Sequence, residues 1–144
     1  MATAVSKDPF HCFRFAPRVG YDGEAMGCTK VELHPGQPWQ GPGEVVLASC
    51  VKEEMIQFAQ INSPISLIVG VFHITDDFSS TGDPSLKIVL ANVVPSRCRF
   101  EMDHLDASSS EILQMRLRMQ YDRLTFLFRG GSGDNTLDMM AAVI

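Results

Sequence analysis

From Leu113 to Tyr121 the chain alternates without a break: Leu113, Met115, Leu117, Met119 and Tyr121 fall on one parity, Gln114, Arg116, Arg118 and Gln120 on the other. At the 3.6-residue period of a helix the two arginines would be swept into the apolar stripe, so the stretch folds as a strand with one dry face and one wet face. A strand of this kind needs hydrogen-bonded neighbours on its edges and a second layer over its apolar face. Whatever the rest of the chain does, it must supply both.

Other segments meet that demand. Phe13 and Phe15 alternate with Arg14 over residues 10–17, which predicts a strand stopped by Pro17, and residues 28–33 alternate again with Val31 and Leu33 opposed to Lys30 and Glu32. Residues 44–49 read as a third strand. Residues 65–75 are apolar at both parities, as expected of a strand covered on both faces, and return through a polar tip at 76–84 into a second apolar run at 86–94 ended by Pro95. Residues 97–102 set Arg97, Arg99 and Glu101 against Cys98, Phe100 and Met102, and residues 124–128 add a last strand after a short turn at Asp122 and Arg123. Only at residues 51–61 does the period change, with Val51, Met55, Phe58 and Ala59 on one helical stripe, Ser49 or Cys50 ahead of it, Glu53 and Glu54 near its positive end and Ser63-Pro64 closing it.

About eight short strands and one helix predict a mainly β fold: two packed antiparallel sheets forming a small β-barrel or sandwich of about eight strands with one flanking α-helix. At 144 residues the chain has the length of one domain. We expect that domain over residues 1–129, with a flexible, glycine-containing arm at 130–144. Two segments do not fit inside sheets. Residues 34–43 hold three prolines and three glycines around Trp39, the sole tryptophan. Leu137, Met139, Met140, Val143 and Ile144 make the end of the arm too apolar to stay wet.

Chemistry is harder to find. His11, His34, His73 and His104 are scattered and form no metal-binding spacing, and the four cysteines lack any Cys-x-x-Cys pair, so they read as small buried hydrophobes. The serine run at 108–110 has no adjacent base and reads as a polar bend, and Gly130-Gly131-Ser132-Gly133 has neither the nucleophile-elbow register nor a phosphate-loop lysine. Asp76 and Asp77 read as solvated carboxylates of a hairpin tip, and His73 as a hydrogen-bonded core residue. No enzymatic activity, cofactor or metal is expected. The formal charge of −5 gives no basic footprint for gripping nucleic acid, no uncharged apolar run has the length of a membrane span, and the first residues lack the pattern of a secretory signal, so folding in a reducing cytoplasm is expected.

The order of local features resembles a known family. Asp8-Pro9-Phe10 leads into Phe13-Arg14-Phe15, a loop, strand and helix follow over residues 46–61, then come Leu90-Ala-Asn-Val-Val-Pro95 and Leu105-Asp-Ala-Ser-Ser-Ser-Glu-Ile112 ahead of the alternating strand. This resembles the tail tube protein family of contractile-tailed bacteriophages, similar in fold to the inner-tube proteins of type VI secretion and contractile injection systems, most closely over residues 89–126. The resemblance implies a structural subunit assembling into hexameric rings stacked into a hollow tube inside a contractile sheath. Its partners would be the sheath, tape measure, baseplate and tail terminator proteins, with DNA passing through the lumen without specific binding. The protein would belong to the virion and be made in the host bacterial cytoplasm. The alternatives are an inner tube of a contractile injection or type VI secretion system, or a monomeric β-barrel holding a small apolar ligand.

Two groups of residues follow from that reading. Glu32 and Glu44, on polar strand faces flanking the 34–43 loop, are the candidate lumen lining, where an acidic wall would repel DNA phosphates. Trp39, Asp76, Asp77, Phe78, Leu137, Met139, Met140, Val143 and Ile144 are the candidate contacts between subunits, on the loop, the hairpin tip and the arm. The segment before Asp8 is expected to act with them.

Overall fold

The computed structural model describes residues 10, 14–20, 23, 25–76, 78 and 83–129. Asp77, Leu137, Met139, Met140, Val143 and Ile144, and with them the whole arm at 130–144, lie outside the described residues.

Eight strands and one helix follow in the order β1 (Phe15–Val19), β2 (Lys30–Pro35), β3 (Gly43–Cys50), α1 (Glu53–Ala59), β4 (Ile65–Val71), β5 (Leu86–Val93), β6 (Arg99–Met102), β7 (Gln114–Tyr121) and β8 (Arg123–Phe128), with a 3-10 turn at Pro95–Arg97. They form two four-stranded sheets, β1-β4-β5-β8 and β2-β3-β7-β6, and every pairing is antiparallel. Among the described residues the sheets do not close on each other, so the architecture is a sandwich with four edge strands and not a barrel.

The alternation of β7 places the core. Met115, Leu117, Met119 and Tyr121 are buried and pack with Val45 and Leu47 of β3, Leu67 of β4, Leu90 and Val93 of β5 and Leu124 of β8. Met55 and Phe58 of α1 reach the same cluster. The interior is thus filled by side chains from both layers, which is the opposite of what a carrier barrel needs for a ligand.

Several boundaries differ from the sequence expectation. Pro17 does not stop the first strand but sits within it, opposite Val69. β1 is an edge, and the Pro17 carbonyl points outward to accept the Met26 N–H at 2.8 Å, so the missing proline N–H would have faced away from β4 in any case. β2 begins later than expected and runs through His34 to Pro35, again at a sheet edge. The helix is shorter than 51–61 because the Val51 N–H still donates to the Leu113 carbonyl at 3.0 Å, prolonging the β3/β7 ladder, and Gln60 already caps the other end. Ser49 Oγ donates to the carbonyls of Cys50 and Gly27, and Lys52, with no side-chain cap, opens the helix. β4 is buried at successive positions 67–70 as a strand covered on both faces should be, but it ends at Val71, and Ile74 lies 64% exposed in the following turn.

β5 carries one extra residue against β4, since Leu67 opposes Leu90 while Ile65 opposes Val93. Asn92 absorbs it at φ 57°, a conformation that asparagine tolerates, and its Nδ2 donates to Asp122 Oδ2 at 3.0 Å. Asparagine's short amide fits such a bulge, where a branched side chain would be strained.

Tyr121 closes the core in a second unusual way. It pairs with Gly43 across β3 and β7, and a Cβ at Gly43 would collide with the phenol. The ring therefore lies over bare backbone, its hydroxyl is buried without a hydrogen-bond partner, and burial pushes the phenol pKa above its ordinary value of 10.0. Tyr121→Phe removes the orphaned hydroxyl and keeps the ring, so it is expected to raise stability by about 1 kcal/mol. Thermal melts of the two chains check this, and a lower Tm for the variant would contradict it.

Candidate functional site

The second sheet turns a mostly polar face to the outside. Rows running across its strands are Lys30, Ala48, Arg116 and Glu101; Glu32, Val46, Arg118 and Arg99; and His34, Glu44 and Gln120. The two residues chosen from sequence as lumen lining, Glu32 and Glu44, do lie together on this face, as diagonal neighbours on β2 and β3.

They do not make it acidic. Glu44 accepts a hydrogen bond from Arg118 at 2.8 Å, which holds the guanidinium above its ordinary pKa. Glu32 lies 3.7 Å from Lys30 and 3.8 Å from His34, and Glu101 lies 3.9 Å from Arg116. Lys30, Arg99, Arg116 and Arg118 thus meet Glu32, Glu44 and Glu101 on one surface, which carries mixed charge with no acidic excess. The net negative charge of the chain resides elsewhere.

Both edges of this sheet are open among the described residues. β6 is one edge, and its alternation reads as predicted, with Phe100 opposite Leu117 and Met102 opposite Met115 on the core side. Because the first sheet does not extend over β6, Phe100 stays 44% and Met102 47% exposed. The chain beyond β6 adds Leu105 and Ile112, both largely exposed. Between them the 108–110 serines form the expected polar bend, where Asp106 accepts the Ser108 N–H and hydroxyl and lies below its ordinary pKa for that reason.

The candidate contact residues that the structure describes, Trp39, Asp76 and Phe78, fall at two places along β8. Trp39 sits in the loop joining β2 to β3 and packs on Phe126 with ring centroids 5.6 Å apart, while the neighbouring Gln40 carbonyl accepts the Leu124 N–H at 3.0 Å. About half of the indole remains exposed. The loop therefore folds back onto the other sheet at the start of β8 and still offers an aromatic surface.

At the other end of β8 stands Asp76. The sequence predicted a solvated tip carboxylate, but its side chain is only 7% exposed. It accepts the His73 N–H at 2.8 Å, the Ser85 hydroxyl at 2.6 Å and Arg129 Nη2 at 2.8 Å. Burial by itself would raise its pKa; Ser85, His73 and Arg129 together outweigh burial and hold the carboxyl below its ordinary value of 3.8. The Asp76 carbonyl accepts Arg14 Nη2, the Arg14 guanidinium covers the Phe78 ring, and Phe78 packs on Phe72. His73 is buried as expected, yet its ring is held by stacking on Phe10 at 4.1 Å. Asp76 thereby ties the hairpin tip to Arg14 through its main-chain carbonyl and to Arg129, the last described residue, through its carboxylate. Sequence reasoning missed Arg14, Ser85 and Arg129, whose partners lie far along the chain.

Among the described residues no group of three or more His, Cys, Asp and Glu side chains gathers as a metal site would. Cys28, Cys50 and Cys98 are partly buried rather than fully so, and burial pushes the Cys28 and Cys98 thiols up. No helix in the described chain is long and apolar enough to cross a membrane.

No protein-family model matches the chain, and no curated protein sequence does. Solved structures match the fold. The tube-terminating cap of the anti-feeding prophage is similar at TM-score 0.61 and 15% identity, over 85% of this chain and 93% of that one. A chain of the sheath-tube complex of an extracellular contractile injection system in its extended state gives 0.61 at 13% identity, over 86% and 95%. A chain of the sheath/tube terminator of the same kind of system gives 0.58 at 13% identity, over 83% and 97%. The fold is thus that of tail-tube-like proteins from contractile injection systems, as the sequence resemblance implied.

Proposed function

We propose that the chain is a structural, non-enzymatic subunit of the tube of a contractile tail or contractile injection system, in which copies join side by side into rings that stack around a channel. The observation that carries this reading is the second sheet's pair of open edges. A four-stranded, fully antiparallel sheet has edge strands that run in opposite directions, so β6 of one copy can continue into β2 of the next without breaking the antiparallel pattern. Sheets joined in this way curve into a ring, with six copies as the number that the family resemblance suggests.

In that arrangement the mixed-charge face, with Glu32 and Glu44, lines the channel. Trp39 and the Asp76 hairpin tip with Phe78 stand ready for contact with neighbouring rings, together with the arm at 130–144 that carries Leu137, Met139, Met140, Val143 and Ile144. Sheath, baseplate, tape measure and terminator proteins would be the other partners, and the place of work is the assembled particle. DNA is the cargo in the phage reading. The likeness to a tube-terminating cap supports a second form of the same reading, in which the chain makes a single end ring.

Negative-stain electron microscopy with sedimentation tests this. Hollow rods identify a tube subunit and isolated rings a terminating piece. A chain that stays monomeric throughout the accessible concentration range would overturn both.

A further inference from the structure

We propose that Arg99 and Glu32 form an electrostatic key that sets the register in which β6 of one copy meets β2 of a second copy. This rests on the side-by-side assembly proposed above and adds what selects one alignment from the several that open strand edges permit.

Arg99 is the anomaly that points to it. Across the β6/β7 pair it stands directly opposite Arg118, and like charges so placed destabilise a sheet. Arg118 is already bonded to Glu44, whereas no hydrogen bond or ion pair engages Arg99 among the described residues. Arg97, Arg99 and Arg118 border one surface groove of about 400 Å³ in which both carboxylates are occupied, Glu44 by Arg118 and Asp122 by Asn92. Three guanidinium groups thus border the groove against two carboxylates.

Strand geometry then restricts the donor of that anion. Joining β6 to β2 must keep the polar face continuous, so registers differ by two residues. With Arg99 opposite Glu32, antiparallel order brings Glu101 opposite Lys30, so both polar pairs are of opposite charge. A shift one way sets Arg99 against Lys30, and a shift the other way sets Glu101 against Glu32. Only one of these alignments is complementary. In that same alignment the half-exposed Phe100 comes opposite Val31 on the core side, which covers part of the apolar surface that β6 leaves bare. Pairing of β6 with β6 of a second copy would set Arg99 against Glu101, but the β2 edge would then stay open and growth would stop at two copies.

The test is a charge exchange on the full chain, read by sedimentation and electron microscopy, with circular dichroism as the check on folding. Arg99→Glu and Glu32→Arg should each raise the concentration needed for half-assembly about tenfold or more. The double variant should return it to within about threefold of the parent. Arg99→Glu should also melt no lower than the parent, since it relieves the opposition to Arg118, so a loss of assembly there is not a loss of fold. Should Glu32→Arg fold poorly, Glu32→Gln supplies the loss on that side. A double variant no better than the weaker single, or a Glu32 exchange without effect while Arg99→Glu is harmful, overturns the key; the latter outcome is the signature of β6 pairing with itself. If the parent assembles and the exchanges are silent, the key fails and the tube reading stands. If the parent never assembles, both fall.

Discussion

Leu117→Asp is expected to abolish the cooperative fold at room temperature. Leu117 is fully buried at the middle of β7, opposite Leu47 on β3 and Phe100 on β6, and is a member of the cluster that joins both sheets to α1. An aspartate there gives up the leucine's apolar contacts and places a carboxylate among aliphatic side chains with no donor in reach. The combined cost is about 4 kcal/mol or more, against a total stability of order 5–15 kcal/mol for a domain of this kind. Arg116→Gln, one residue away on the opposite face and paired only at 3.9 Å, should shift the melt by no more than about 2 °C. Circular dichroism melts of the two variants decide it: a Leu117→Asp chain that melts within a few degrees of the parent would mean that β7 is turned the other way.

Asp76→Ala ranks second. Removing the carboxylate strands the His73 N–H and the Ser85 hydroxyl in a site where both are shielded from water, and leaves Arg129 to find solvent. The expected loss is about 2–4 kcal/mol, or a fall in Tm of roughly 10 °C. Asp76→Asn keeps an oxygen acceptor and should lose less. Acid should imitate the substitution. Because the folded carboxyl titrates below its ordinary value of 3.8, the unfolded chain binds this proton first, so the stabilisation is complete above that value and drains away as pH falls through the folded pKa. The parent's Tm should therefore drop more steeply than that of Asp76→Asn on acidification below about pH 4. Parallel slopes would show that Asp76 is not the group responsible.

The contrast between these two residues measures what a sequence discloses. Leu117 was legible because its signal is local: the parity of five neighbours fixes its face. Asp76 was not, because its meaning comes from Arg129, which is 53 positions away. The same holds for Glu44, whose face could be read but whose ion-pair partner Arg118 lies 74 positions along the chain. Phe100 and Met102 show a third limit. Their alternation gave the correct side of the strand, yet only the sheet order reveals that β6 is an edge among the described residues. Pro17 fails for the matching reason, since proline ends a central strand but rides comfortably on an outer one.

The paired charges on the second sheet's outer face govern how that surface feels at a distance. Opposite charges held 2.8–3.9 Å apart act as short dipoles, and the fields of neighbouring dipoles cancel far faster than that of a lone charge. Beyond about 8 Å at physiological salt little potential survives. A conduit walled by such a surface would exert no standing pull or push on a polymer threading along its axis. Transit through it would be governed by collisions and short-lived contacts, and its speed would change little with ionic strength.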